Sequence, residues 1–184
     1  MSVNEIAGKI PGKDECLGLL KKSGASTGVI AHSETVCRAA EEISEKIRKL
    51  GRGNPNLKLV TAGAILHDIG RSKTHGVAHG FVGGQMLQEL GLDERLVRIT
   101  ERHVGAGIPK EEAGGIGLPS TRDFIPETLE ERIVCYADKL AFGHEIKFSS
   151  DETIRDFEEE LGKNHPAVNR LREFCKSMQE LLKE

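Results

Sequence analysis

Apolar residues recur at three- and four-residue steps along most of the chain, and that spacing predicts helices rather than strands. From about Thr27 to Leu50, Val29, Val36, Ala39, Ala40, Ile43, Ile47 and Leu50 form one stripe with charges between them. His32 lies four residues before Val36 and so falls on the buried stripe. After a Gly51 to Pro55 turn, Leu57 to Asp68 is apolar almost all round, the pattern of a central helix, and Gly70 stands where a left-handed helix end is wanted. A helix from about His79 to Leu90, ended by Gly91, follows, and Asp93 caps another that runs to about His103. Thr128 with Glu131 makes a capping-box pattern, opening a helix through Leu129, Ile133, Val134, Ala137, Leu140 and Ala141 that carries Asp138.

The flanks read the same way. Ser2 with Glu5 suggests a short first helix broken at Pro11-Gly12, and Asp14 to Lys22 a second that stops near Gly24. Ser149 with Glu152 starts an acidic helix to about Leu161. Pro166 opens the last helix, whose stripe is Val168, Leu171, Phe174, Cys175, Met178, Leu181 and Leu182. The stretch Val104 to Pro126 carries five glycines and three prolines and is long for a connection, which predicts a functional loop or lid. Ile146-Lys147-Phe148 is too brief to count as a strand. The expectation is therefore an all-α helical bundle. One domain spans 1–184, with its core at about 27–142 and residues 1–26 and 149–184 as helical extensions packed on it.

Composition narrows the partners. A chain of 184 residues, 38% hydrophobic and 30% charged, makes one ordinary domain with a substantial core. It has no Trp and one Tyr, so it offers no aromatic platform for stacking bases. The net charge of −3, from 26 basic and 29 acidic residues, gives no reason to expect a nucleic-acid polymer or an anionic membrane as partner. Cys16, Cys37, Cys135 and Cys175 are scattered singly, and no secretory pattern opens the chain, so reduced thiols and a cytoplasmic location are expected. Charges interrupt every apolar stretch well before the roughly 20 residues a membrane span requires.

Against that bland background stand His32, His67-Asp68, His79, His103 and Asp138. Imidazoles and carboxylates together suit iron, manganese, zinc, cobalt or nickel, and helices are able to enclose an ion with ligands drawn from separate segments. Adjacent helical residues diverge by about 100°, so His67 and Asp68 share an ion only where it lies between their directions, as at a helix end. Taken singly, each residue also has an ordinary role. His32 would be a hydrogen-bonded core histidine, Asp68 a helix terminator and Asp138 the partner of a core arginine. His79 would neighbour a cap, and His103 would be a last-turn histidine favoured by the helix dipole. His75, four residues from His79, is an alternative to it, whereas His144 and His165 read as surface or structural. Gly114-Gly115-Ile116-Gly117 lacks the preceding strand and following Lys-Ser/Thr of a phosphate cradle.

The order His32, His67-Asp68, Asp138 resembles the H…HD…D signature of the HD-domain metal-dependent phosphohydrolase superfamily, and Ala64-Ile65-Leu66-His67-Asp68-Ile69-Gly70 looks like its HDIG form. The resemblance covers roughly Ile30 to Leu140. His79-Gly80-Phe81-Val82-Gly83-Gly84 and Ile99-Thr100-Glu101-Arg102-His103 resemble two further segments of its binuclear branch, which includes symmetric dinucleoside tetraphosphate hydrolases. The resemblance implies an HD-type helical bundle in which His32, His67, Asp68 and Asp138 hold one divalent transition metal. Asp68 would bridge to a second, held by His79 and His103. It implies hydrolysis of a small phosphorylated metabolite, a nucleotide or nucleotide-like ester, by metal-activated water, with Asp68 and Arg71 catalytic. Two cations lower the pKa of bound water toward about 7 and place it in line with the ester. Arg71, Lys73, Arg122 and Lys139 are the candidates to balance phosphate charge. The GYP tract of the cyclic-dinucleotide phosphodiesterases is missing, and Arg71 stands where a Lys is often found. A non-catalytic nucleotide-binding or regulatory domain, and a binuclear-iron oxygenase, remain as alternatives.

Overall fold

The computed structural model of the chain describes residues 8–184, so the Ser2–Glu5 pattern lies outside the described residues. Helices α1 (Lys13–Lys22), α2 (Thr27–Lys49) and α3 (Leu57–Leu66) form the first part of an all-α fold. Ser26 and Asn56 cap α2 and α3, each side chain accepting a hydrogen bond from the backbone three residues on. Helix α3 is the centre. Leu59, Val60, Ala62, Ala64, Ile65 and Leu66 are all buried, and α1, α2, α5 (Glu94–Arg102) and α7 (Leu129–Leu140) pack around it. A helix that is apolar almost all round needs such company on most sides.

Helix α4 (His79–Glu89) and α5 (Glu94–Arg102) form an antiparallel pair joined through Gly91, which is left-handed at φ +66°. Asp93 caps α5 by accepting from the Arg95 backbone. Helix α7 (Leu129–Leu140) opens with the full capping box, Thr128 and Glu131 exchanging side-chain and backbone hydrogen bonds. Helix α8 (Asp151–Leu161) buries none of its residues fully. Helix α9 (Pro166–Leu181) sets Val168, Leu171, Cys175 and Met178 into the interior, and Leu171, Cys175 and Met178 join the main core.

Three expectations need correction. The central helix stops at Leu66 rather than Asp68, because the chain tightens into a 3-10 turn over Ile69–Ser72. Gly70 is not left-handed. It is glycine because α4 presses on it: an added Cβ would overlap the His79 carbonyl oxygen and stand 2.6 Å from the Gly83 nitrogen. The described residues include a two-residue antiparallel hairpin, β1 (Ala141–Phe142) with β2 (Glu145–Ile146), too short for sequence periodicity to reveal. The 104–126 connection, expected as a loop or lid, contains a helical turn, α6 (Lys110–Ala113), and its own apolar cluster of Ile108, Ala113, Leu118 and Phe124. That cluster packs against Ala78, Phe81 and Val104. The connection therefore covers the start of α4.

Candidate metal centre

Five segments bring six side chains to one point. His32 projects from the second turn of α2, His67 caps the C-terminus of α3, and Asp68 follows at φ −100°, ψ 14°. That bridge-region backbone breaks the helical fan and turns the Asp68 carboxylate toward the same space as its neighbour's ring. His79 is the first residue of α4, His103 caps the end of α5, and Asp138 lies in the last turn of α7.

Asp68 stands between two groups. Its Oδ2 lies 4.0 Å from His32 Nε2 and 3.7 Å from His67 Nε2, while its Oδ1 lies 3.1 Å from His79 Nε2 and 3.4 Å from His103 Nε2. Asp138 Oδ1 closes the first group, 2.9 Å from His32 Nε2 and 3.5 Å from His67 Nε2. The donor atoms of Asp68, His79 and His103 fall within 4.8 Å of one another, as do those of His32, His67 and Asp68 and those of His67, His103 and Asp138.

The rings are oriented for ligation. The Nδ1 of His67, His79 and His103 donate to the carbonyl oxygens of Ala64, Gly76 and Thr100, each three residues back, at 2.7, 2.9 and 2.7 Å. That backbone contact fixes the tautomer and turns every Nε2 lone pair inward. His79 Nε2 and His103 Nε2 then face each other at 3.0 Å. Burial pushes the His103 imidazole down to about 4, against the pull of Asp68, so at neutral pH it supplies no proton to bridge that gap. His67 Nε2 and Asp68 Oδ1 are buried with no hydrogen-bond partner among the described residues. Orphaned buried polar atoms of this kind are costly, and a cation between them would satisfy both. The donor set therefore fits a divalent metal.

Electrostatics point the same way. Burial opposes ionisation of Asp68, yet the neighbouring His67, His103 and His79 outweigh it and hold the carboxyl far below the usual range. Burial likewise opposes charge on His67, but Asp68 and Asp138 push its pKa up. The field at this point favours any cation.

Access is one-sided. The side chains of His32 and Asp138 keep 23% and 16% exposure, against 5% or less for His67, Asp68, His79 and His103. The expectation that His32 is buried therefore needs correction: its ring lies at the mouth.

The four cations singled out for phosphate are placed unequally. Arg71 Nε donates to Asp68 Oδ2 at 2.7 Å while the side chain stays one-third exposed. Lys139 is buried, with Nζ 2.6 Å from Asp138 Oδ2. Arg122 is bound by both terminal nitrogens to Glu101, at 2.7 Å each. Lys73 is exposed and makes no side-chain hydrogen bond or ion pair among the described residues. His75, His144 and His165 are exposed and outside the cluster. Sequence reasoning overlooked Glu101, a buried carboxylate four residues after Val97 on the apolar stripe of α5, seated over Gly84 where no Cβ intervenes. It also overlooked Cys135, whose Sγ donates to the carbonyl oxygens of His103 and Gly105. A charged residue on a buried stripe was the available signal for Glu101; Cys135 offered none.

An all-α fold enclosing a histidine–aspartate centre defines a class, and comparison identifies the family. The model of the HD domain family matches residues 29–143, and the chain belongs to that family. It is 47% identical over 158 residues, 86% of its length and 91% of the relative's, to an uncharacterized protein, MJ0778, of Methanocaldococcus jannaschii. It is 44% identical over 140 residues to a tRNA (cytidine(56)-2'-O)-methyltransferase of Picrophilus torridus, spanning 76% of this chain but 39% of that longer protein. The fold is shared with the HD domain of the L. monocytogenes phosphodiesterase PgpH, at TM-score 0.51 and 19% identity over 88% of this chain and 97% of that one. The same domain in complex with cyclic-di-AMP gives 0.52 and 17%, over 90% and 97%. Among the described residues no helix is long and apolar enough to cross a membrane.

Proposed function

We propose that the protein is a metal-dependent phosphohydrolase that cleaves a small phosphorylated metabolite, a nucleotide or nucleotide-like phosphoester, at a binuclear centre. The observation that carries the reading is Asp68, whose two oxygens face two separate groups of Nε2 atoms. His32, His67, Asp68 and Asp138 would hold one cation and Asp68, His79 and His103 the other. Iron, manganese, cobalt, nickel or zinc suits these donors. Bound there, divalent cations supply Lewis acidity and a water acidic enough to attack phosphorus near neutral pH.

Charge supports an anionic substrate. With the imidazoles neutral, as ligation requires, Asp68 and Asp138 are matched by Arg71 and Lys139, so the cations' own charge would be left for the substrate to balance. The substrate enters where His32 and Asp138 are exposed. Arg71 holds Asp68 through Nε, and its terminal nitrogens, which make no hydrogen bond among the described residues, are free to meet a phosphate oxygen.

The test is a screen of metal-reconstituted protein against phosphomonoesters, cyclic phosphates and dinucleoside polyphosphates. Phosphoester cleavage that disappears in a folded His67→Ala variant is the expected result. Metal-loaded protein inert toward all three classes would overturn the proposal and favour a binding or regulatory domain, while substrate-dependent oxygen consumption would favour an oxygenase. The match to part of a tRNA methyltransferase supports a second reading, in which the substrate is a phosphoester within RNA. An oligoribonucleotide ending in a 2',3'-cyclic phosphate belongs in the same screen, and preference for it over mononucleotides would select this reading.

A further inference from the structure

Lys139 is an unusual lysine. Its side chain is 6% exposed, yet its ammonium has two strong partners: it donates to Asp138 Oδ2 at 2.6 Å and to the His103 carbonyl oxygen at 3.2 Å. One group thus touches a carboxylate of the first cluster and the backbone of a histidine in the second, tying the end of α7 to the end of α5. A buried ammonium persists only when paired and hydrogen-bonded, and this one is. Its seat is fixed further by Thr153, whose hydroxyl donates to the Lys139 carbonyl oxygen, and by Cys135 one turn earlier, which bonds the same His103 carbonyl. With Lys139 on Oδ2, it is Oδ1 that Asp138 turns to His32 and His67, or whatever lies between them.

We propose that Lys139 is a positioning residue of the metal centre: it holds Asp138 as a one-oxygen ligand, supplies its counter-charge before a metal arrives, and fixes the His103 end of α5. Sealed from solvent, it does not contact substrate, unlike Arg71. The inference rests on the reading of Asp138 and His103 as ligands.

Cobalt(II) titration of the full-length protein tests it, with binding and the visible d–d spectrum as readouts and thermal melting of the metal-free form in parallel. Lys139→Met is expected to melt lower without metal and to bind Co2+ about 10–100-fold more weakly, the usual cost of losing a ligand's hydrogen-bond partner. Its spectrum should lose intensity, because a released Oδ2 raises the coordination number. Lys139→Arg should restore affinity and spectrum. A lysine that merely stabilises the fold would lower the melting temperature and leave both Co2+ readouts unchanged, and that result overturns the proposal. If Lys139→Met does not fold, Lys139→Gln, which keeps a donor without charge, decides: wild-type affinity and spectrum there overturn it as well. Asp138→Ala separates the two levels. Unchanged Co2+ binding in that variant would sink the reading of Asp138 as a ligand, whereas loss there with wild-type behaviour in the lysine variants would sink this inference alone.

Discussion

Two residues show how finely the centre is specified. Asp68 belongs to both donor groups and Asp138 to the first alone, so the two carboxylates should differ when neutralised. If the centre is binuclear as proposed, Asp68→Asn is expected to abolish binding of both metals and Asp138→Asn to weaken one, which metal analysis after reconstitution checks; equal stoichiometry in the two variants would contradict a bridging role. Gly70 gives a stability counterpart. Its Cβ position is occupied by the α4 backbone, which moves less readily than a side chain, so Gly70→Ala should cost at least the ~1–3 kcal/mol of ordinary overpacking. Urea denaturation measures it, and a neutral result would mean that α4 is not pinned there. The six candidate donors were singled out in the sequence by their residue types and by their resemblance to a family pattern. The roles of Arg71, Lys139 and Arg122 were not legible there, because a basic side chain reads alike whether it meets phosphate or a neighbouring carboxylate.

Among the elements, the 104–126 connection departs furthest from its sequence. Glycine and proline content suggested a functional loop or lid; four apolar residues spread over it meet as a cluster on the start of α4, and two bidentate pairs hold it. Arg122 grips Glu101 on α5, and Arg170 on α9 grips Glu112. Glu101 is buried, so removing its partner leaves an unpaired carboxylate, a costlier loss than that of an exposed ion pair. Arg122→Ala is accordingly expected to speed amide exchange at Ile108 and Phe124, which hydrogen-bond each other in both directions, and to hasten metal loss to a chelator. Exchange as slow as in the wild type would show that the apolar cluster alone secures the segment. The helices themselves were readable because capping and periodicity are local. Their ends shifted only where tertiary pressure acts, as at Leu66, where the chain must turn for Asp68 to face the cluster.

For the molecule as a whole, the thiols set a pH dependence. Burial pushes Cys16, Cys37 and Cys135 from 9 up to about 12. Above pH 9 the unfolded chain loses protons that the folded chain keeps, so this contribution is fully present below pH 9 and lost as pH rises toward 12. Urea midpoints should fall across that window, and iodoacetamide should label the thiols slowly in folded protein at pH 8; rapid native labelling would refute the burial. The order of residues alone determines the helical class and the approximate place of the long helices, because periodicity and caps are properties of short stretches, and by resemblance to a family pattern it nominates the six candidate donors. Folding decides the rest. Which oxygen of Asp68 faces which histidine, which cations are taken by carboxylates, and which side of the centre meets solvent depend on distances between segments as far apart as His32 and Asp138, and packing alone sets those distances.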